Sequence, residues 1–471
     1  MKQHDTTQPV FAEELAGQEA FDAVVAQATD LIAQLHVPGL AVGVIHGANS
    51  YATGIGVTNV STKEPVTADT TFHIASVTKT FTATLAMMQS EQGVLDLNAR
   101  IVDILPWFRV KDPEATVKAR VIDMFHHHTG WSGDHGFDPV SPGGSITEKC
   151  MLQAHYIEQI IPFGQAWMYS NTNLAFAGHL LSVAGGKPYE TLVEEHILTP
   201  LGMNATSFNY SASSPDENFA WGHPPIYTDD KIDELQPIFT PFPPTAGSAG
   251  GIQSTVQDML KYARFQLDGK DSSGNTLLSN EALAFAHAPA VDAPTGEFTG
   301  LTWFVRKYGE ITSAFHGGTY IGYRTFLQLI PEHNFAVIVL TNSDRGVEAY
   351  TAVADAMVKA FTKLEPHTEV ASGVDPSVLD PFIGVFKGTF QDFEITKNGD
   401  KYQLLQDSKL TKPGADPAPA NVANTKEGWF IVTEGPNKGA LGELLKDPSG
   451  ELNYLRFNHR IFIRSNAVPG S

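Results

Sequence analysis

A single cysteine, Cys150, in 471 residues excludes a disulfide framework within the chain. With no partner motif beside it, the thiol reads as an inert core group. No run of apolar residues is long enough to cross a bilayer, and Met1-Lys2-Gln3-His4-Asp5 lacks the apolar core of a secretory signal. The expectation is a cytoplasmic protein with no membrane partner, although removal of a leader would leave the same start. Basic residues are scarce: 31 Lys and Arg stand against 52 Asp and Glu, a net charge of -21. Nucleic acid and anionic lipid both need a basic surface, so neither is expected as a partner. What is present is ordinary for a soluble globular chain, 42% hydrophobic and 18% charged, and long enough for two or three domains.

Apolar residues at Phe21, Val24, Val25, Ala28, Leu31, Ile32 and Leu35 follow the 3.6-residue period of a helix over residues 15–36, which Pro38 and Gly39 end. Residues 40–46 and 51–57 are β-like and joined as a hairpin. A helix begins near Ser76 and runs to about Gly93, residues 95–250 are helical and loop-rich, and 256–267 is another helix. Strands follow at 301–307, 311–315, 324–330 and 335–341, then a helix at 346–364. Strands from both ends of residues 1–365 therefore bracket a helical insert. The fold class expected is α/β (α+β): an antiparallel sheet flanked by the terminal helices, with a helical subdomain over one edge. A polar, Pro-bearing linker at 366–378 leads into residues 379–471, where about seven short strands, at 382–390, 392–396, 401–405, 429–432, 441–445, 451–457 and 460–463, predict a small closed all-β barrel.

Three motifs carry chemistry. Ser76-Val77-Thr78-Lys79 opens a helix, so its hydroxyl and amine share one face, and a lysine amine so placed can take a serine proton. A Ser three residues before a Lys is expected about once by chance in a chain of this length, so the pair needs company. Tyr169-Ser170-Asn171 precedes a helical run, where a buried aromatic with a helix cap is the plainer reading. His316-Gly317-Gly318-Thr319 lies between two predicted strands, where glycines let a substrate approach backbone.

In that order, these motifs resemble the serine penicillin-recognising superfamily, specifically the class C β-lactamase-like branch with its DD-peptidases, D-aminopeptidases, lactamases and esterases. Pro38-Gly39-Leu40-Ala41-Val42, Gly93-Val94-Leu95-Asp96-Leu97, His127-His128-Thr129-Gly130, Glu194 to Met203 and Gly247-Ser248-Ala249-Gly250-Gly251 extend the likeness over residues 15–365. The resemblance implies that Ser76 is the nucleophile, that Lys79 and Tyr169 share the proton work, and that Asn171 positions Lys79 and the substrate amide. It implies an oxyanion hole from the backbone N–H groups of Ser76 and Thr319, with Gly317 and Gly318 lining the substrate. Lactamases of this superfamily carry lysine where this chain has His316, a residue expected to hydrogen-bond Tyr169 or a substrate carbonyl. The barrel resembles the lipocalin-like domains of related hydrolases, and a lid, a homo-oligomer contact and ligand binding are its three candidate uses.

The function expected is a serine hydrolase cleaving small amide or peptide bonds through an acyl-Ser76 intermediate, acting on a small molecule or short peptide. A carboxylesterase or acyltransferase of the same fold is the alternative, with a β-lactamase or a catalytically silent ligand-binding protein further off. No cofactor is expected. His126, His127, His128 and His135 lack a carboxylate or cysteine cluster, so no metal is expected there. Ser248 lies outside a Gly-x-Ser-x-Gly elbow because Ala246 breaks it.

Overall fold

The computed structural model describes residues 7–134, 146–210, 218–228, 231–293, 297–365, 376–389, 391–408, 419–426, 428–434 and 437–465. Most of the expected linker, and His135 with part of the 130–150 loop, lie outside the described residues.

Helix α1 (Thr7–Gln34) leads into strands β1 (Gly39–His46) and β2 (Asn49–Gly56), a hairpin turned by Gly47-Ala48 alone. After helix α2 (Thr78–Glu91), which follows Ser76, come α3 (Asn171–Gly185) and α4 (Val256–Asp268). Strands β3 (Val291–Asp292), β4 (Phe298–Thr299), β5 (Phe304–Tyr308), β6 (Ile311–Tyr320), β7 (Tyr323–Ile330) and β8 (Phe335–Thr341) follow, then helix α5 (Gly346–Thr362). They form one antiparallel eight-stranded sheet ordered β2-β1-β8-β7-β6-β5-β4-β3, so both ends of this part of the chain do build it.

The period of two along the central strands explains the layering. Leu40, Val42 and Val44 of β1 and Phe335, Val337 and Val339 of β8 face α1 and α5, while Ala41, Ile45, Ala336, Ile338 and Leu340 face the core that holds α2 and α4. A strand apolar on both sides belongs inside a three-layer stack. Gly43 lets α4 come close, since a Cβ there would lie 2.7 Å from Val256. Among the described residues no helix is long and apolar enough to cross a membrane.

The C-terminal part is a closed barrel of eight strands: β9 (Gly384–Lys387), β10 (Gln391–Asn398), β11 (Lys401–Ser408), β12 (Ala420–Lys426), β13 (Trp429–Val432), β14 (Leu441–Leu445), β15 (Tyr454–Phe457) and β16 (Arg460–Arg464). The sequence pattern misses β12, whose Ala420-Asn421-Val422-Ala423-Asn424 offers little apolar bulk. Phe386, Phe393, Phe430, Phe457 and Phe462 fill the interior, with Phe393 4.9 Å from Phe462 and 5.1 Å from Phe457. The barrel therefore has a packed core, and its contact with the rest of the chain is on the outside. There Tyr454 and Ile461 pack against Ile161 and Met168, and Gln165 donates to the Lys446 carbonyl at 2.7 Å.

Candidate active site

Ser76 sits in a 3-10 turn (Ala75–Val77) immediately before α2, so the α-helix expected to open at Ser76 begins two residues later, at Thr78. The turn is held from three sides. Ile74 N–H donates to the Ile252 carbonyl at 3.1 Å, Ile252 N–H donates to Thr78 Oγ1 at 3.1 Å, and Thr325 Oγ1 donates to the Ile74 carbonyl at 2.9 Å. Ala75 takes a left-handed φ of 49°, strain that this bracing supports. Gly318 of β6 permits the closeness, because a Cβ there would lie 2.3 Å from the Ile74 carbonyl and 2.1 Å from Thr325 Oγ1.

The motif His316-Gly317-Gly318-Thr319 is not a connection between strands. It continues β6, an interior strand of the sheet. Yet β5 begins at Phe304, opposite Phe315, so residues beyond 315 have no β5 neighbour and form a local edge beside the Ser76 turn. Thr319 lies on that edge, paired to Arg324 of β7.

Lys79 is completely buried on α2. Its Nζ donates to Ser76 Oγ at 3.0 Å and to the Ala249 carbonyl at 2.6 Å. Burial disfavours the ammonium form and holds its pKa well below the ordinary lysine value, the Arg460 cation pushing the same way and Asp134 opposing. The Gly247–Gly250 helix that supplies Ala249 is itself anchored by Ser248, whose Oγ donates to the Leu174 carbonyl at 2.8 Å.

Tyr169 reaches the same point from the residue before the α3 cap. Ser170 caps α3 by accepting from Asn173 N–H at 3.1 Å, and its own N–H donates to His127 Nδ1 at 3.1 Å. The Tyr169 ring lies 4.7 Å from the His127 ring and is stacked on Phe304 at 6.2 Å. Lys79 Nζ stands 4.9 Å from the ring centroid. Burial pushes the phenol pKa up, and the Ser76 hydroxyl and the Arg460 cation pull it back.

His316 is neutral: burial takes its pKa down to about 3. Its Nδ1 is 2.7 Å from the Gly317 carbonyl and donates to it, which leaves Nε2 as a buried acceptor without a protein partner. The hydrogen bond expected to Tyr169 does not form: Nδ1 is taken by the Gly317 carbonyl and Nε2 has no partner. A bare lone pair also cannot donate to a carbonyl, so what this imidazole can take is an N–H or O–H group. Asn171 likewise differs from expectation. Its Nδ2 donates to Asp134 Oδ1 at 2.8 Å, and the Lys79 amine is held by Ser76 and Ala249. Cys150 is buried with its thiol pushed up to about 12, consistent with an inert core group.

The residues not foreseen are Asp134 and, from the barrel, Asn458, His459 and Arg460. Asn458 and His459 form a two-residue turn with φ of 47° and 63°, joining β15 to β16. That turn lies against the candidate site, with Tyr169 N–H donating to the His459 carbonyl at 3.0 Å. The Arg460 guanidinium stacks on the Tyr169 ring at 4.8 Å and grips Asp134 with two bonds of 2.9 and 2.8 Å. No local signal marks Asp134 or Arg460, because they meet only in the folded chain.

Comparison with known proteins gives the family. The model of the Beta-lactamase family matches residues 21–360. The chain belongs to the beta-lactamase family. Penicillin-binding protein 4 of Amycolatopsis lactamdurans is 26% identical over 384 residues, covering 79% of this chain and 96% of that protein. Among solved structures, SurE superposes with a TM-score of 0.74 at 20% identity, over 95% of this chain and 99% of its own. The D-amino acid amidase of Ochrobactrum anthropi SV3 gives 0.61 at 22% identity, over 73% and 99%. This beta-lactamase family member thus shares its α/β part with the amidase, whereas the likeness to SurE extends through the barrel.

Proposed function

We propose that the chain is a serine hydrolase that cleaves a small amide or peptide bond through an acyl-Ser76 intermediate. The observation that carries this reading is the buried Lys79 amine 3.0 Å from Ser76 Oγ, with the Tyr169 ring beside it. An ordinary lysine is neutral only about 0.04% of the time at pH 7, a cost of about 4–5 kcal/mol, and burial meets that cost during folding. Neutral Lys79 takes the Ser76 proton as Oγ attacks the carbonyl. The oxyanion falls to the backbone N–H groups of Ser76 and Thr319, at a helix start and a local strand edge. Tyr169 then passes the proton to the departing amine, and water releases the acyl group by the reverse route. Gly317 and Gly318 line the substrate's path, and His316 Nε2 accepts from a substrate N–H. Asn171 acts through Asp134.

A neutral His316 does not favour the ring carboxylate of a lactam, which supports amide or peptide cleavage over lactam hydrolysis. The relatives include both a penicillin-binding protein and beta-lactamases, so the choice rests on His316. Treatment with a fluorophosphonate is expected to attach one adduct to the Ser76 peptide, found by mass spectrometry and absent in Ser76→Ala. A panel of D- and L-aminoacyl amides and p-nitrophenyl esters, run with and without an amine acceptor, is expected to show amide turnover with free acid as product. A folded protein with no adduct at Ser76 would sink the reading. Turnover of esters alone, or transfer to the acceptor, would replace the peptidase with the esterase or acyltransferase.

A further inference from the structure

We infer that Arg460, presented by the β15–β16 turn of the barrel, is a positioning residue of the acyl-transfer site: its guanidinium, aimed by Asp134, sets a permanent positive charge against the Tyr169 ring and so favours the neutral Lys79 that accepts the Ser76 proton. The inference rests on the serine hydrolase reading and assigns the barrel a part in it.

The geometry is built rather than incidental. A two-residue turn with both residues left-handed fixes where β16 starts, and Arg460 is its first residue. The backbone on either side is tied down. The His459 carbonyl accepts from Tyr169 N–H, and Arg456 Nη1 donates to the Trp167 carbonyl at 3.2 Å while its other nitrogen pairs with Glu443. Asp134 receives the guanidinium fork on one side and the Asn171 amide on the other. A planar fork held by two bonds to one carboxylate has a single orientation, and here that orientation lays the cation on the phenol ring.

The charges around Lys79 and Tyr169 leave few other candidates. His127, His316 and His459 are buried, and burial keeps all three neutral. His126, next to His127, is also held down by burial, to about 4. Arg456 is occupied by Glu443. Arg460 and Asp134 are therefore the fixed charges that act on the pair. At both Lys79 and Tyr169 the cation lowers the pKa and Asp134 raises it, with the cation the larger influence of the two. The ion pair presents its positive end to the chemistry.

The test uses the full chain and the pH dependence of the second-order rate of Ser76 modification by a fluorophosphonate, with kcat/KM for a p-nitrophenyl ester as a second readout. Removing the cation in Arg460→Gln is expected to move the acid limb up by about one pH unit, about a tenfold slower reaction at a fixed pH on that limb. Asp134→Asn is expected to move it down, and Asp134→Asn/Arg460→Gln to return it near the parent. Arg460→Lys keeps the charge and loses the fork, so it is expected to hold the limb within a few tenths of a unit while slowing the reaction, a departure set by the lost orientation. Circular dichroism and melting confirm that each variant is folded. A structural role alone would slow both single variants and leave the limb where it was. That outcome, or limbs that move in the same direction, overturns the inference. Labelling of the parent at Ser76 tests the underlying reading separately.

Discussion

Lys79→Met is expected to modify Ser76 about 10³-fold more slowly than the parent, yet to fold with greater stability. The rate follows from the role, since a positioned general base contributes roughly 10²–10⁴-fold. The stability follows from linkage. In the unfolded chain Lys79 titrates near 10.4, and in the folded chain burial holds it well below that. Between those two values the unfolded state carries the extra proton, so stability rises with pH across the window and falls as pH drops toward the folded value. Methionine fills a similar volume without a proton to shed. It gives up the bonds to Ser76 Oγ and the Ala249 carbonyl, and the balance is expected to be a gain of about 1–2 kcal/mol at pH 7. Denaturant melts at several pH values check this: the parent gains on the variant as pH rises toward 10. A variant that is destabilised and keeps its acylation rate would show that the amine is structural.

The second large effect concerns a residue with no side chain. In Gly318→Ala the new methyl meets Thr325 Oγ1 and the Ile74 carbonyl far inside contact distance, and the carbonyl belongs to the turn that carries Ser76. Either β6 or the turn must yield, at a cost of about 1–3 kcal/mol for overpacking. A displacement of about 1 Å at Ser76 is expected to lower kcat/KM about 10²-fold. Gly317→Ala is the control, because its methyl would first meet the Tyr350 hydroxyl at 3.6 Å, an ordinary contact. Near-parental melting in Gly317→Ala beside lowered melting and a crippled rate in Gly318→Ala is the expected pair. Equal effects would mean that the closeness of β6 to the turn is unimportant.

The sheet was readable from β1 and β8 because both strands are short apolar runs, apolar on both faces and bounded by turns. Helix α2 was harder. Thr78, Thr80, Thr82 and Thr84 alternate as in a strand, and it is Phe81, Leu85 and Met88 that betray the helical period. The threonines are tolerated because their hydroxyls find partners, Thr82 Oγ1 lying 2.8 Å from the Tyr189 hydroxyl and donating to the Ser248 carbonyl at 2.7 Å. Ser76, Lys79 and Tyr169 could be found because a shared chemistry marks each with a short motif. His316 could be placed but not oriented, since its tautomer depends on a carbonyl bond that only folding creates. Ala75 shows no sign of its left-handed backbone, being an alanine where glycine would have advertised the turn. Asn458 suits the first position of a tight hairpin and marks a turn only. Nothing in the strand pattern said that this hairpin would press on Tyr169.

Chain order also bears on when the enzyme becomes active during synthesis. Ser76, Lys79, Tyr169 and His316 have all left the ribosome before the first strand of the barrel is made, and N-terminal parts generally fold first. His459 and Arg460 reach them only after β16 has found β9, a pairing between the first and last staves of the cylinder. In chain order, then, the hydroxyl, amine, phenol and imidazole of residues 76, 79, 169 and 316 are made early, and the cation that leans on them is the last piece to arrive.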